Sequence, residues 1–132
     1  MKTNFICPKC RGYLNVGDKV ILSIKNKHRP FGLILLSPVL GEYKYEVNPS
    51  YEVGPGEEFD FHCPNCHKSL LVSDNEKLVR VVMIEDNNKE HWVVFSRKEG
   101  EKCTYKISDE SITDYGDDSH RYIDFLSASM LK

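Results

Sequence analysis

The sequence predicts a mainly β member of the α+β class, in which antiparallel strands and a meander join a four-cysteine metal site and one helix closes the C-terminal end. Three observations predict it. Strand-length runs rich in β-branched and aromatic residues recur between clusters of Gly, Pro, Asn and Asp. Only one stretch, near the C-terminus, repeats apolar residues at three- and four-residue spacing. Two blocks, Cys7-Pro8-Lys9-Cys10 and Cys63-Pro64-Asn65-Cys66, each set two thiols two residues apart, the spacing at which a tight turn offers both sulfurs to one metal ion.

Taken in order, Asn4 to Cys7 predicts a short strand entering the first cysteine turn and Tyr13 to Val16 a strand leaving it, with Gly12 supplying backbone freedom between them. Lys19 to Lys25 is a β-branched run entered through Gly17-Asp18. Phe31 to Leu36 is continuously apolar and ends at Ser37-Pro38, which predicts a buried strand and a turn, because Pro38 would interrupt a helix of that length. Tyr43 to Val47 and Glu57 to His62 alternate apolar with charged residues and predict half-exposed strands on either side of turn sequences. Ser69 to Val72 leaves the second cysteine turn. Lys77 to Glu85, His91 to Arg97 and Lys102 to Ile107 then predict a three-stranded meander. Asp117-Asp118-Ser119 supplies capping side chains for a helix over about 119–130 that carries Tyr122, Ile123, Phe125, Leu126 and Met130 on its apolar face. No internal repeat is read beyond the two cysteine blocks.

Hydrophobic residues make up 40% and charged residues 29% of 132 residues, enough apolar material for one packed core, so a single compact domain over 1–132 is expected. No apolar run approaches the roughly 20 residues that span a bilayer, and the N-terminal residues lack a signal-peptide core. Membrane insertion is therefore not expected, and the cytoplasm is the expected address. Five cysteines suit a reducing compartment where thiols bind metal instead of pairing as disulfides. Cys103 is left over from the two blocks; Lys102 and Lys106 beside it raise the alternative of a reactive thiol, against that of a packing residue.

The blocks, followed by Gly12 and an apolar residue in one case and by Ser69-Leu70-Leu71 in the other, resemble the knuckles of zinc-ribbon and rubredoxin-like proteins over roughly residues 5–16 and 59–72. That resemblance implies two knuckle hairpins, over 3–16 and 57–72, with backbone amides turned toward the sulfurs. It further implies one structural zinc per chain held by Cys7, Cys10, Cys63 and Cys66, with iron as the alternative metal. Two departures stand out. The 52 residues from Arg11 to His62 exceed the usual ribbon connection, so 17–56 is read as a strand-rich insertion, with the meander and helix in 77–132. Arg11 and His67 stand where such knuckles carry glycine. His62 and His67 are alternative ligands that four cysteines make unnecessary.

No Gly-rich phosphate loop and no nucleophile signature is present. Enzyme activity, including thiol-disulfide exchange by the Cys-x-x-Cys pairs, is left as a residual reading that calls for a deep polar cleft near Cys103, His91 or the cysteine turns. No small-molecule substrate is inferred. The expected function is non-catalytic protein binding, with Phe31, Leu33 and Leu35 as the docking residues. The alternative is nucleic-acid binding. Net charge is +6 from Met1 to Tyr45 and −8 over the remainder, and Lys9, Arg11, Lys25, Lys27, His28 and Arg29 could meet phosphates while Tyr13 or Phe31 stacks on bases.

Overall fold

The computed structural model describes residues 3–26, 29–72, 75–108 and 111–129, with side chains described except at 29 and 127–129. Among the described residues eleven strands run in chain order: β1 (Asn4–Ile6), β2 (Asn15–Val16), β3 (Lys19–Asn26), β4 (Arg29–Leu36), β5 (Tyr45–Val47), β6 (Asp60–His62), β7 (Leu71–Val72), β8 (Asn75–Ile84), β9 (Glu90–Ser96), β10 (Thr104–Ile107) and β11 (Ile112–Tyr115). A 3-10 turn, Ser119–Arg121, and one helix, α1 (Ile123–Ser129), follow. The mainly β class with one short helix is what the sequence predicts.

All pairings are antiparallel and form two sheets. In the first sheet β5, β4 and β3 lie side by side, and β2 and β6 share the free edge of β3. In the second, β11, β10, β9 and β8 lie side by side, and β1 and β7 share the free edge of β8. Each cysteine turn thus carries the chain from one sheet to the other, β1 to β2 in one direction and β6 to β7 in the other.

The two sheets are copies of one design. Moving the first turn by the interval from Cys7 to Cys63, 56 positions, and the following strands by the interval from Val20 to Val79, 59 positions, maps one set of pairings onto the other. Phe5↔Met83 becomes Phe61↔Ile24, Leu22↔Ile34 becomes Val81↔Val93, and Leu36↔Tyr45 becomes Phe95↔Thr104. The isolated bridges Ile6↔Tyr13 and His62↔Ser69 correspond in the same way. This overturns the reading that the chain has no repeat beyond its cysteines. The stretch read as an insertion, 17–56, holds β3, β4 and β5, three of the five strands in the first copy of the duplicated design.

The main core lies between the sheets and is built from corresponding pairs: Phe5 with Phe61, Leu14 with Leu70, Val20 with Val79, Leu22 with Val81, Ile24 with Met83, Ile34 with Val93. Alternation along each strand puts these side chains inward. A second, smaller core sits on the opposite face of the second sheet, where Leu78, Val94, Cys103, Tyr105 and Ile107 are covered by Leu126, Ile123, Phe125 and Tyr122. The corresponding face of the first sheet has no such cover among the described residues, and Phe31 and Leu33 are 55% and 51% exposed there.

Several expectations change. Phe31 to Leu36 is not buried throughout; Ile34 points into the core while Phe31 and Leu33 point to solvent, because a run covered on one face only must still alternate. The meander has a fourth strand, β11, whose polar Thr113 and Asp114 hid it. The helix begins at Ile123 instead of Ser119, and Asp118 makes no capping bond. Its carboxylate accepts from the Lys102 backbone N–H at 2.9 Å and pairs with Arg121 at 3.4 Å, so a tertiary partner has taken the side chain that local sequence offered to the helix. Met130 lies outside the described residues.

Gly116 joins β11 to the turn before α1 with φ at +95°. A Cβ there would stand 2.2 Å from the Lys102 carbonyl oxygen and 2.5 Å from the Tyr43 hydroxyl, which itself donates to the Tyr115 carbonyl at 3.1 Å. Gly116→Ala is expected to cost roughly 2 kcal/mol or more, from left-handed strain and overpacking together, read as a lowered urea midpoint.

Candidate metal centre

Each cysteine turn is shaped by its backbone. In the first, the Cys7 N–H donates to the Gly12 carbonyl at 3.0 Å and the Arg11 N–H to the Cys7 carbonyl at 2.9 Å; in the second, Cys63 to Lys68 at 3.0 Å and His67 to Cys63 at 2.9 Å do the same. Closing so tight a loop puts the residue after the second cysteine in the left-handed region, with φ of 64° at Arg11 and 67° at His67. Non-glycine residues seldom adopt it. The backbone freedom expected of Gly12 is therefore used at Arg11. Gly12 serves close approach instead, since a Cβ on it would lie 2.9 Å from Asn65 Nδ2, which donates to the Tyr13 carbonyl at 3.0 Å and ties the two turns together.

The turns bring Cys7, Cys10, Cys63 and Cys66 into one cluster whose sulfurs all lie within 4.8 Å of one another. Cys7 Sγ is 3.8 Å from Cys66 Sγ, and Cys10 Sγ is 3.8 Å from Cys63 Sγ. A tetrahedral ion with sulfur at about 2.3 Å sets its ligands roughly 3.8 Å apart, so the donor set fits a four-sulfur metal shell. The amides point as metal thiolates require. Lys9 and Cys10 N–H groups donate to Cys7 Sγ at 3.3 and 3.4 Å, and Asn65 and Cys66 N–H groups donate to Cys63 Sγ at the same two distances.

Electrostatics favour a cation at the centre. Burial pushes the Cys63 thiol up to about 12, whereas the Lys68 backbone N–H draws the Cys66 thiol down. Four sulfurs this close cannot all carry charge unless a cation neutralises them, and metal binding does so while displacing the thiol protons. A shell closed by four protein ligands leaves no position for a reacting water. His62 and His67 are not in the cluster; His62 Nδ1 lies 3.1 Å from the His67 carbonyl oxygen.

The other candidate residues are dispersed. Arg11 forms a bidentate pair with Glu90 at 3.0 and 2.6 Å, and that pairing lowers the Glu90 carboxyl below its ordinary value. Lys9 is exposed on the first turn, and Lys25 sits 5.2 Å from the centre of the Phe31 ring. Lys27 and His28, and the side chain of Arg29, lie outside what is described. Phe31 and Leu33 are exposed, with Leu35 half-buried beside them. Cys103 is fully buried in the second core, and burial raises its thiol to about 11, which makes it a packing residue and removes the reactive alternative. His91 is also buried, with Nε2 3.3 Å from the Glu85 carboxylate, and burial lowers its ordinary value. A cavity between the sheets is lined mostly by apolar side chains and by none of Cys103, His91 or the four clustered cysteines.

No helix among the described residues is long and apolar enough to cross a membrane. A scan against protein-family models, a search of curated proteins and a search of solved structures each return no match. The site defines the chain as a β protein with a candidate four-cysteine metal centre at the junction of its two sheets.

Proposed function

We propose that this chain is a non-catalytic, zinc-stapled protein-binding module of the cytoplasm, which docks a partner on the outer face of the first sheet. The single observation that carries the reading is the unequal cover of two corresponding faces. On the second sheet, Val94 and Tyr105 lie under the helix; their counterparts, Leu35 and Glu46, sit on a face where Val16 is 70% exposed and Phe31 and Leu33 more than half. Ile21 and Leu35 extend the same face. Lys19 and Lys25 border it, and Lys19 is paired with Glu46 at 3.5 Å. The segment covering the second sheet is itself an apolar helix preceded by Asp114, Asp117 and Asp118. A partner helix with one apolar stripe and acidic flanks matches the bare face in the same way.

The nucleic-acid reading is weakened by Arg11, whose guanidinium is committed to Glu90. The test is a photo-crosslinking residue at Ser23, central on the face, with the captured peptide sequenced. An amphipathic, acid-flanked peptide is expected, and Phe31→Asp with Leu33→Asp is expected to abolish its capture while changing stability by less than about 1 kcal/mol. Capture of nucleic acid with a steep loss at rising salt, crosslinking to a second copy, or capture that survives the double substitution would each sink the reading.

A further inference from the structure

The two sheets do not close completely on one another. A cavity of about 240 Å³ remains between them, walled by Leu22, Ile34, Phe61, Val81 and Val93 among others. An apolar cavity of roughly 150 Å³ stays dry and accepts a benzene ring, so this one has room for a larger apolar body. Its walls come from both copies of the duplicated design, and so does its mouth.

Two corresponding loops, 37–43 and 96–102, form that mouth. Their sequences are Ser37-Pro38-Val39-Leu40-Gly41-Glu42-Tyr43 and Ser96-Arg97-Lys98-Glu99-Gly100-Glu101-Lys102. They fold alike. Ser37 Oγ accepts from the Val39 N–H and Ser96 Oγ from the Lys98 N–H, both at 3.1 Å. Glu42 and Glu101 N–H groups donate to the Val39 and Lys98 carbonyls, and both glycines have φ near +90°, at 90° and 84°.

What differs is chemistry. One lip presents Val39, Leu40 and Tyr43 beside Glu42, and the other presents Arg97, Lys98, Glu99, Glu101 and Lys102. On the charged lip, Glu99 accepts from Tyr45 Oη at 3.4 Å and from the Gly56 N–H at 3.2 Å. Glu101 accepts from Ser96 Oγ at 2.6 Å and Tyr122 Oη at 2.8 Å, while Arg97 donates to the Phe59 carbonyl and to Asp60. Among the described residues, the Lys98 and Lys102 ammonium groups hold no ion pair within 4.0 Å, although Lys98 helps to lower the carboxyl of Glu58, its partner in an isolated bridge; the exposed Glu42 lies on the opposite lip.

We propose that this cavity is a binding site for a small amphiphilic carboxylate, a medium-length alkyl chain or single substituted ring, whose apolar body fills the space between the sheets. Its carboxylate lies at the Lys98 and Lys102 lip. A mostly apolar cleft with a few polar groups at its mouth is the usual form of a small-ligand site, and the duplicated loops place the two lysines on one lip, opposite a lip that carries Val39, Leu40 and Tyr43 with the single carboxylate of Glu42. The site is independent of the docking face and of the metal.

Octanoate is the probe, titrated into the metal-loaded full chain, with octanol and octylamine as neutral and cationic comparisons. Octanoate is expected to bind at one equivalent, raise the thermal midpoint and shift the methyl NMR signals of Leu22, Ile34, Val81 and Val93. Its affinity should exceed that of the other two by about tenfold, the effect of one favourable charge contact near 1.4 kcal/mol. Lys98→Met with Lys102→Met, both surface changes, should bring octanoate down to the affinity of octanol and leave octanol unchanged. Val93→Phe, which fills the cavity, should abolish binding; because it can fail to fold, the neutral Val39→Asn at the rim serves as a second variant and should weaken all three probes. The proposal is overturned by methyl shifts confined to Leu33 and Leu35, by equal affinity for the three probes, or by no binding at all.

Discussion

Replacing Cys63 by serine is expected to leave the chain without its metal and without a stable fold. Cys63 is fully buried in one cluster with Phe61 and Leu70, and its sulfur accepts two backbone N–H bonds, so a hydroxyl there is both a poor ligand and a poorly matched acceptor. Structural zinc contributes about 10–16 kcal/mol of apparent binding energy in small zinc-dependent folds, against a total stability of about 5–15 kcal/mol for a typical domain. Loss of the fourth ligand is thus comparable with everything holding the protein together. Native mass spectrometry should find one metal in the parent chain and none in the variant, whose far-UV circular dichroism should show lost strand signal; the mass also decides between zinc and iron. A variant that keeps both metal and fold would disprove the staple. In the metal-loaded parent, no thiol is expected to react before chelation, because a bound ion would occupy the four clustered cysteines and Cys103 is fully buried.

Tyr105→Ala is expected to produce the next largest loss, about 3–5 kcal/mol, the range for deleting a large aromatic side chain from a packed core. Tyr105 is fully buried on the outer face of the second sheet, and its hydroxyl donates to the Ser119 carbonyl in the turn that leads into α1. Burial raises that hydroxyl above its ordinary value. Tyr105→Phe removes only the hydroxyl, with its bond to the Ser119 carbonyl and its contacts with the Cys103 thiol and the Tyr122 backbone, and should cost about 1–2 kcal/mol. The pair separates packing from anchoring. Urea titration gives both costs, and hydrogen exchange in 119–126 should rise in each variant while β3 and β8 keep their protection. Equal costs for the two substitutions would mean that the ring contributes little beyond its hydroxyl.

The four-cysteine cluster was legible because four thiols in two short blocks are chemically specific wherever the intervening chain goes. Most strands were legible through alternation and turn residues. The duplication was harder to see, since the positions that face solvent or the helix have diverged: Ile21 corresponds to Arg80, Ser23 to Val82, Leu33 to Trp92. The inward positions kept their character, and the loops kept a Ser-x-x-x-Gly-Glu pattern at 37–42 and 96–101. That pattern, set beside the cysteine blocks, was the signal available in the sequence. Phe31 to Leu36 misled for a related reason: composition reports how apolar a strand is, not whether a second layer covers its other face. The start of α1 was misread because Asp118 has two suitors, and the Lys102 backbone holds it.

The exchange of strands at the cysteine turns bears on how the chain is made. β1 belongs to the second sheet and pairs with Ile84, Met83 and Val82, so it emerges from a ribosome nearly eighty residues before its partner. The first sheet, for its part, cannot finish its edge until β6 has been synthesised. Each half leaves the other with an open strand edge, and neither can be sealed in isolation. Folding must therefore await most of the translation product, and pairings between residues so distant along the chain make for slow closure. The arrangement is that of two protomers that have traded arms and been fused head to tail, with the cysteines gathered at the crossing.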